Sequence, residues 1–139
     1  MITRSFDGDR LNELVNDLSI RPYVGGEGPL DLSEAAENEI NYFLLGDHGG
    51  FFCNWTAPET YEVHTFILPS GRGAWGFSFA KAGRDYMAGI GASHLWTRVA
   101  KTDRHTRIFT LRAGFRPCGE QFLDFGQGPI AYELFDWRT

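Results

Sequence analysis

The stretch from Tyr61 to Phe115 constrains this chain more than any other, because regular elements and breakers alternate in it with little slack. An apolar run from Tyr61 to Leu68 ends at Pro69, and the turn Ser70-Gly71-Arg72-Gly73 follows. From Ala74 to Ile90 the residues Trp75, Phe79, Ala82, Tyr86, Met87 and Ile90 recur at helical spacing, although Trp75, Phe77 and Phe79 also alternate as in a strand. Length decides for a helix. Ser93 to Ala100 alternates again, with Leu95, Thr97 and Val99 on one side, and a short basic helix runs from Arg104 to Ala113. Gly114 suits its left-handed C-terminus, and Phe115 returns to the core beside Ile108 and Leu111.

What flanks this stretch completes one sheet. Met1 to Phe6 predicts a short strand or arm, and Asp7 or Asp9 caps a helix through about Leu18 that buries Leu11, Leu14, Val15 and Leu18. Arg21-Pro22-Tyr23 ends it, and Val24 to Pro29 is too rich in glycine and proline for regular structure, so it reads as a mobile loop. A short acidic helix is expected over Leu32 to Glu39. Ile40 to Leu45 and Gly50 to Trp55 then form a hairpin about Gly46-Asp47-His48-Gly49, with Phe43, Leu45, Phe51 and Phe52 among its buried positions. Arg116 to Leu123 and Ile130 to Trp137 are the last strands. Helices, an antiparallel meander and a strand–helix–strand unit together predict an α+β (mixed α/β) domain with a central mixed sheet over residues 1–139.

Composition narrows the partners. With 42% apolar and 22% charged residues the chain reads as folded, and its 15% aromatic content must fill a core or line a groove. No window predicts a membrane span, no leader is evident, and a cytoplasmic location is expected. Cys53 and Cys118 read as reduced core thiols, neither standing at metal-ligand spacing, so no structural zinc is expected. The net charge of −5 argues against general nucleic-acid binding. That charge is uneven: residues 70–116 hold nine Lys or Arg against two acids, Asp85 and Asp103. A basic block within an acidic protein points to a localised anion.

At Gly71-Arg72-Gly73, glycines let backbone N–H groups approach an anion and the following helix adds the positive end of its dipole. Arg72 can add a charge-assisted contact. On the strand before the turn, Glu62 and His64 lie two apart and share a face, as a carboxylate and an imidazole able to accept a proton. His48, His94 and His105 read as turn, strand-start and helix-surface residues.

In order, a strand, a glycine turn, a long helix, a strand, a capped second helix and Gly114-Phe115 resemble the acyl-CoA-binding core of the GNAT superfamily of N-acetyltransferases. The match covers about 55 of the 139 residues. The resemblance implies a GNAT-like fold and an acetyl-CoA-dependent N-acyltransferase in which an amine, from a protein or a small molecule, attacks the thioester directly. It implies that the strand 61–68 splays from the strand 94–99 to admit the pantetheine arm. Backbone groups from Gly71 to Gly76, including Gly73 and Ala74, would hold the pyrophosphate, and N–H groups near Phe66, Ile67 and Leu68 the tetrahedral intermediate. Arg72, Arg104 and Arg107 would supply cations, and Glu62 and His64 are the candidate bases.

The chain departs from the family pattern at three positions. Trp75 is bulky where the backbone should approach a phosphate. Asp103 stands where many members have Asn, and its charge opposes the cofactor unless Lys101 or Arg104 pairs with it. Thr110 occupies the place of a Tyr that protonates the leaving thiolate. These departures keep open an alternative, a non-catalytic GNAT-fold binding or assembly factor. The His-Gly-Gly hairpin and Glu-Val-His strand also resemble small GNAT-like proteins of tailed bacteriophages, some of them linked to head assembly.

Overall fold

The structure, a computed structural model, describes residues 2–139. Eleven main elements follow in order: β1 (Thr3–Ser5), α1 (Gly8–Val15), α2 (Ser33–Glu37), β2 (Tyr42–Gly46), β3 (Gly49–Ala57), β4 (Thr60–Ile67), α3 (Ala74–Gly89), β5 (His94–Ala100), α4 (Arg104–Arg112), β6 (Arg116–Asp124) and β7 (Pro129–Arg138). They form one seven-stranded sheet in the order β1-β2-β3-β4-β5-β7-β6. All neighbours are antiparallel except β4 and β5, which run parallel. The parallel pair needs a crossover, which α3 supplies, and α4 carries the chain from β5 past β7 to the edge strand β6.

Alternation along the strands divides the core in two. Tyr61 and Ile67 of β4 and Leu95 of β5 face α3, where Phe79, Ala80 and Met87 complete one cluster with Leu44, Phe51 and Cys53. On the opposite face Phe66 of β4 joins Phe43 and Phe52 beneath α1, which contributes Leu11, Leu14 and Val15. Burying these side chains contributes about 1.5–3 kcal/mol each before chain entropy is set against it. Cys53 lies at the centre of the first cluster, where burial pushes its thiol up to about 12. Cys118, expected inside, is exposed on the edge strand β6, and both thiols are free.

Three expectations are corrected by local chemistry. α1 stops at Val15, and Leu18 is 91% exposed. The cause is Asn16, whose side chain donates to the carbonyls of Asn12 and Leu30 and accepts from the Leu30 N–H, tying the helix end to the returning chain. The stretch 24–29 is irregular, as its glycines and proline predict, and Arg21 donates to the carbonyls of Val24 and Gly28 within it. In α4 the side facing the sheet carries Phe109, Thr110 and Ala113, leaving Leu111 at the surface and Ile108 half exposed on the wall of a cavity. α3 keeps its helical reading, but its last apolar position, Ile90, falls beyond the helix and is exposed.

Candidate functional site

β4 and β5 stay in register for three residue pairs only, Thr60 with His94, Tyr61 with Leu95 and Glu62 with Trp96. Past Glu62 the two strands part. β4 continues to Ile67 against β3, and β5 continues to Ala100 against β7, so each keeps its outer ladder while the inner one opens. At the point of parting Thr97 Oγ1 donates to the Val63 carbonyl at 2.8 Å, replacing a ladder bond with a side-chain bond. The five residues from Val63 to Ile67 give the opening a length of about 17 Å at ordinary strand rise.

A cavity of about 700 Å³ fills this wedge and reaches over the α1 face of the sheet. Val63, Thr65 and Ile67 form one bank, Thr97 and Val99 the other, and Phe77 of α3 and Phe109 and Thr110 of α4 close its floor. The Phe77 and Phe109 rings stack at 5.5 Å between centroids, making that floor flat and apolar. Beneath it a small void of about 40 Å³ is shared with Val63, Thr65 and Thr97.

The glycine turn stands at the wide end of the wedge. Gly73 adopts φ 103° and ψ −136°, a conformation open to glycine alone at little cost, and no atom approaches where its Cβ would be. It is the N-cap residue of α3, and among the described residues no side chain caps this helix. The first helical bond runs from the Phe77 N–H to the Gly73 carbonyl, so the N–H groups of Ala74, Trp75 and Gly76 have no acceptor within the helix. Unlike these, the N–H groups of Gly71 and Arg72 donate to the carbonyls of Leu68 and Pro69 inside a 3-10 turn. The backbone N–H groups left without an acceptor in the turn and helix are therefore those of Ala74 to Gly76, and those of Gly71 and Arg72 are already committed. The indole of Trp75 does not enter the wedge: it stacks on Phe79 at 4.6 Å and meets His48 edge-on at 4.9 Å.

Backbone direction sorts the residues before the turn. The Leu68 N–H donates to the His48 carbonyl at 2.8 Å, away from the wedge, and Leu68 is absent from the cavity wall. Alternation turns the Phe66 N–H the same way and leaves those of Thr65 and Ile67 facing the opening. Of the three expected backbone donors only Ile67 is aimed at the wedge, and Thr65 joins it.

The expected cations divide likewise. Arg72 lines the cavity mouth and donates to the Ser19 carbonyl at 3.1 Å. Arg107 is turned away, its Nε bonded to Glu133 at 2.8 Å, and Arg104 is exposed at the start of α4 outside the cavity wall. Asp103 does line the cavity, yet its carboxylate accepts from the Thr106 N–H and caps α4. Lys101, a candidate partner for it, pairs with Glu120 instead. His105, read from the sequence as a surface residue, also reaches the cavity wall.

At the narrow end Glu62 and His64 project on the α1 face with Arg98 opposite. Glu62 Oε1 lies 3.6 Å from His64 Nε2, and Oε2 lies 3.6 Å from an Arg98 terminal nitrogen. Burial raises the Glu62 carboxyl, but the adjoining imidazole and guanidinium outweigh it and hold the group below the usual 4.5. Both contacts exceed hydrogen-bond length, so their effect on the carboxylate is chiefly coulombic. Thr110 is buried and its hydroxyl donates to the Thr106 carbonyl at 2.7 Å. Arg98 was missed as a site residue, counted only as part of the basic block; it stands two residues past Trp96, the last β5 residue paired with β4.

No sequence-family profile matches the chain, and no curated protein does either. Solved structures do match. Spermidine N-acetyltransferase from Vibrio cholerae, in complex with CoA and spermine, superposes with TM-score 0.80 at 13% identity, over 99% of this chain and 94% of that one. A putative acetyltransferase from Salmonella typhimurium with acetyl-CoA gives 0.78 at 14% identity, over 99% and 92%. A GNAT-family acetyltransferase from Bacillus anthracis gives 0.75 at 15% identity, over 99% and 93%. The chain has the GNAT acetyltransferase fold, an α+β architecture with a mixed sheet.

Proposed function

We propose that the chain is an N-acyltransferase that takes an acetyl group from acetyl-CoA and delivers it to a primary amine. The observation that carries this reading is the parting of β4 from β5 after Glu62, with an uncapped helix N-terminus at the wide end of the gap. The Phe77–Phe109 floor suits the apolar stretches of a pantetheine arm. The free N–H groups at the start of α3, with Arg72 beside them, suit its pyrophosphate. CoA or acetyl-CoA bound by two proteins of this fold supports the same assignment.

In this reading the acetyl carbon lies near the narrow end. The amine attacks it, a C–N bond forms, and negative charge develops on the former carbonyl oxygen, within reach of the Thr65 N–H. Glu62, unable to donate, favours the tautomer of His64 with its proton on Nε2, leaving Nδ1 to take a proton from the substrate ammonium and so free the neutral amine that attacks. Collapse breaks the C–S bond, and the thiolate takes its proton from solvent, because the Thr110 hydroxyl is spent on its own helix. No covalent enzyme intermediate is needed, and Cys53 is too buried to act as nucleophile. Chemistry on a CoA thioester also fits a cytoplasmic setting.

The Thr110 hydrogen bond favours a second reading, in which the domain binds a CoA thioester without turning it over and serves as a binding or assembly factor. Calorimetric titration of acetyl-CoA, followed by thiol release with a panel of amines, separates the two. Heat of binding and thiol release dependent on amine support the transferase. Binding without release supports the second reading, and the absence of heat and of thermal stabilisation at millimolar cofactor overturns both.

A further inference from the structure

Arg98 has bonding capacity that the fold does not use. It is half-buried on the cavity wall, faces Glu62 at 3.6 Å and lies over the Trp96 ring at 5.2 Å. Its Nε is buried, and among the described residues it has no acceptor. The guanidinium holds Glu62 only at 3.6 Å and part of it stays open to the cavity, so it keeps donors for a second group there, and a planar carboxylate is the group that takes such a fork in two places. The residues of the same cavity determine what can carry that carboxylate. Among the described residues only Glu62 and Asp103 bring acids to its wall, and Asp103 is committed to capping α4. One carboxylate is left for one ammonium. A polyamine, with several positive charges, would meet Arg98 and Arg72 without acids to offset them.

Aromatic side chains from two separate parts of the chain line the same cavity. Phe125 and Tyr132, of the β6–β7 hairpin, meet edge-on at 6.2 Å. The loop after α1 brings Gly25 against Phe125, with Tyr23 on the same cavity wall; a Cβ on Gly25 would lie 2.5 Å from the Phe125 ring, so the two segments touch only because glycine stands there. Such walls offer apolar and edge-to-face contacts to a substituent beside the reacting amine.

We infer that the acceptor is a small aminocarboxylate with an apolar or aromatic side group, its ammonium on the Glu62–His64 side and its carboxylate on Arg98. The inference rests on the acyl-transfer reading above. Ammonium and carboxylate of such a zwitterion stand one carbon apart, matching a cation and an anion that face each other across 3.6 Å. A protein N-terminus, whose first carboxyl is an amide, leaves Arg98 unanswered.

The test compares phenylalanine, phenethylamine and spermidine as acceptors at saturating acetyl-CoA, by thiol release. Phenethylamine is phenylalanine without its carboxylate. We expect kcat/KM for phenylalanine to exceed that for phenethylamine by about 10- to 100-fold, the range of a charge-assisted hydrogen-bond pair. Arg98→Met should bring that ratio towards one, and Arg98→Lys should restore part of it; calorimetric affinity for acetyl-CoA verifies that each variant is folded. Equal turnover of the two aromatic amines, or preference for spermidine, overturns the assignment. If acetyl-CoA binds and none of the three is acetylated, the acceptor assignment falls while the cosubstrate reading stands; if acetyl-CoA does not bind, both fall.

Discussion

Thr97 Oγ1 donates to the Val63 carbonyl across the first step of the gap between β4 and β5. The wedge is therefore pinned at its narrow end by one side-chain hydrogen bond, beyond the last of three backbone pairings. Replacing Thr97 with Val keeps the volume and β-branching but removes the donor. We expect Thr97→Val to cost about 1 kcal/mol, and Thr97→Ser to recover most of it, as read from denaturant midpoints. Acetyl-CoA affinity should fall with Thr97→Val, because the separation of the two banks is no longer fixed.

Gly73 sits where the helix dipole meets the opening, at φ 103° with open space around it. Gly73→Ala introduces backbone strain without a collision, costing about 1–2 kcal/mol. Since the strain is relieved by turning the N–H groups of the first helical turn, acetyl-CoA affinity should drop about tenfold or more. Calorimetry on a variant whose folding is verified by circular dichroism measures it. A stable variant with unchanged affinity would remove this turn from the proposed phosphate site.

Asp103 is read here as a helix cap, not as a cofactor contact. Asp103→Ala should lower stability by about 1 kcal/mol, the ordinary value of an N-cap, and Asp103→Asn should be close to neutral. If Asp103 opposes the cofactor, both variants instead bind acetyl-CoA markedly more tightly.

In the proposed reaction Glu62 and His64 carry the proton transfer. Substituting Glu62→Gln or His64→Ala should reduce kcat about 100-fold, within the range of general acid–base contributions, with little change in the affinity for acetyl-CoA. A loss confined to KM for the amine would show that they bind the acceptor without moving its proton.

Glu62 and Asp31 are two of the carboxylates that make stability depend on acidity in a defined direction. Glu62 is held below 4.5 in the folded state: burial opposes this, while His64 and Arg98 more than compensate. Asp31 is lowered from 3.8 to about 2 by the Ser33 hydroxyl, the Ser33 N–H and the Asn12 amide. A folded value below the unfolded one gives stability that is complete above the unfolded value and lost as pH falls through the folded value. Melting temperature should thus decline from just below pH 4.5, with Asp31 contributing from 3.8 down to about 2. In Glu62→Gln the portion beginning near 4.5 should vanish and the lower portion remain.

The elements of this fold are legible in the sequence wherever a period and a breaker agree. Alternation from Tyr61, the proline at 69 and the glycines around Arg72 place β4, the turn and α3 within a residue or two of where they stand. What escaped has local causes. Asn16 looks like any polar helical residue until its amide is seen bridging to Leu30, and so α1 was expected to reach Leu18. Ile108 fits a core stripe by spacing, yet it faces a gap between strands that no periodicity encodes. Among the site residues, the wedge was implied by the family resemblance and the free N–H groups by a glycine turn ahead of a helix, whereas side-chain pairings follow from neither. Arg107 was expected at the phosphates, but Glu133, distant in sequence, claims it. Arg98 became visible as a site residue only when β5 was seen opposite Glu62.

The central claim is that the gap between β4 and β5 receives a phosphorylated thioester, and a crystal structure of the protein grown with acetyl-CoA tests it most directly. The account predicts an extended ligand lying between Thr65–Ile67 and Thr97–Val99, with its pyrophosphate on the N–H groups of Gly73 to Gly76. A ligand bound elsewhere, or β4 and β5 hydrogen-bonded to one another through Ile67, would contradict it.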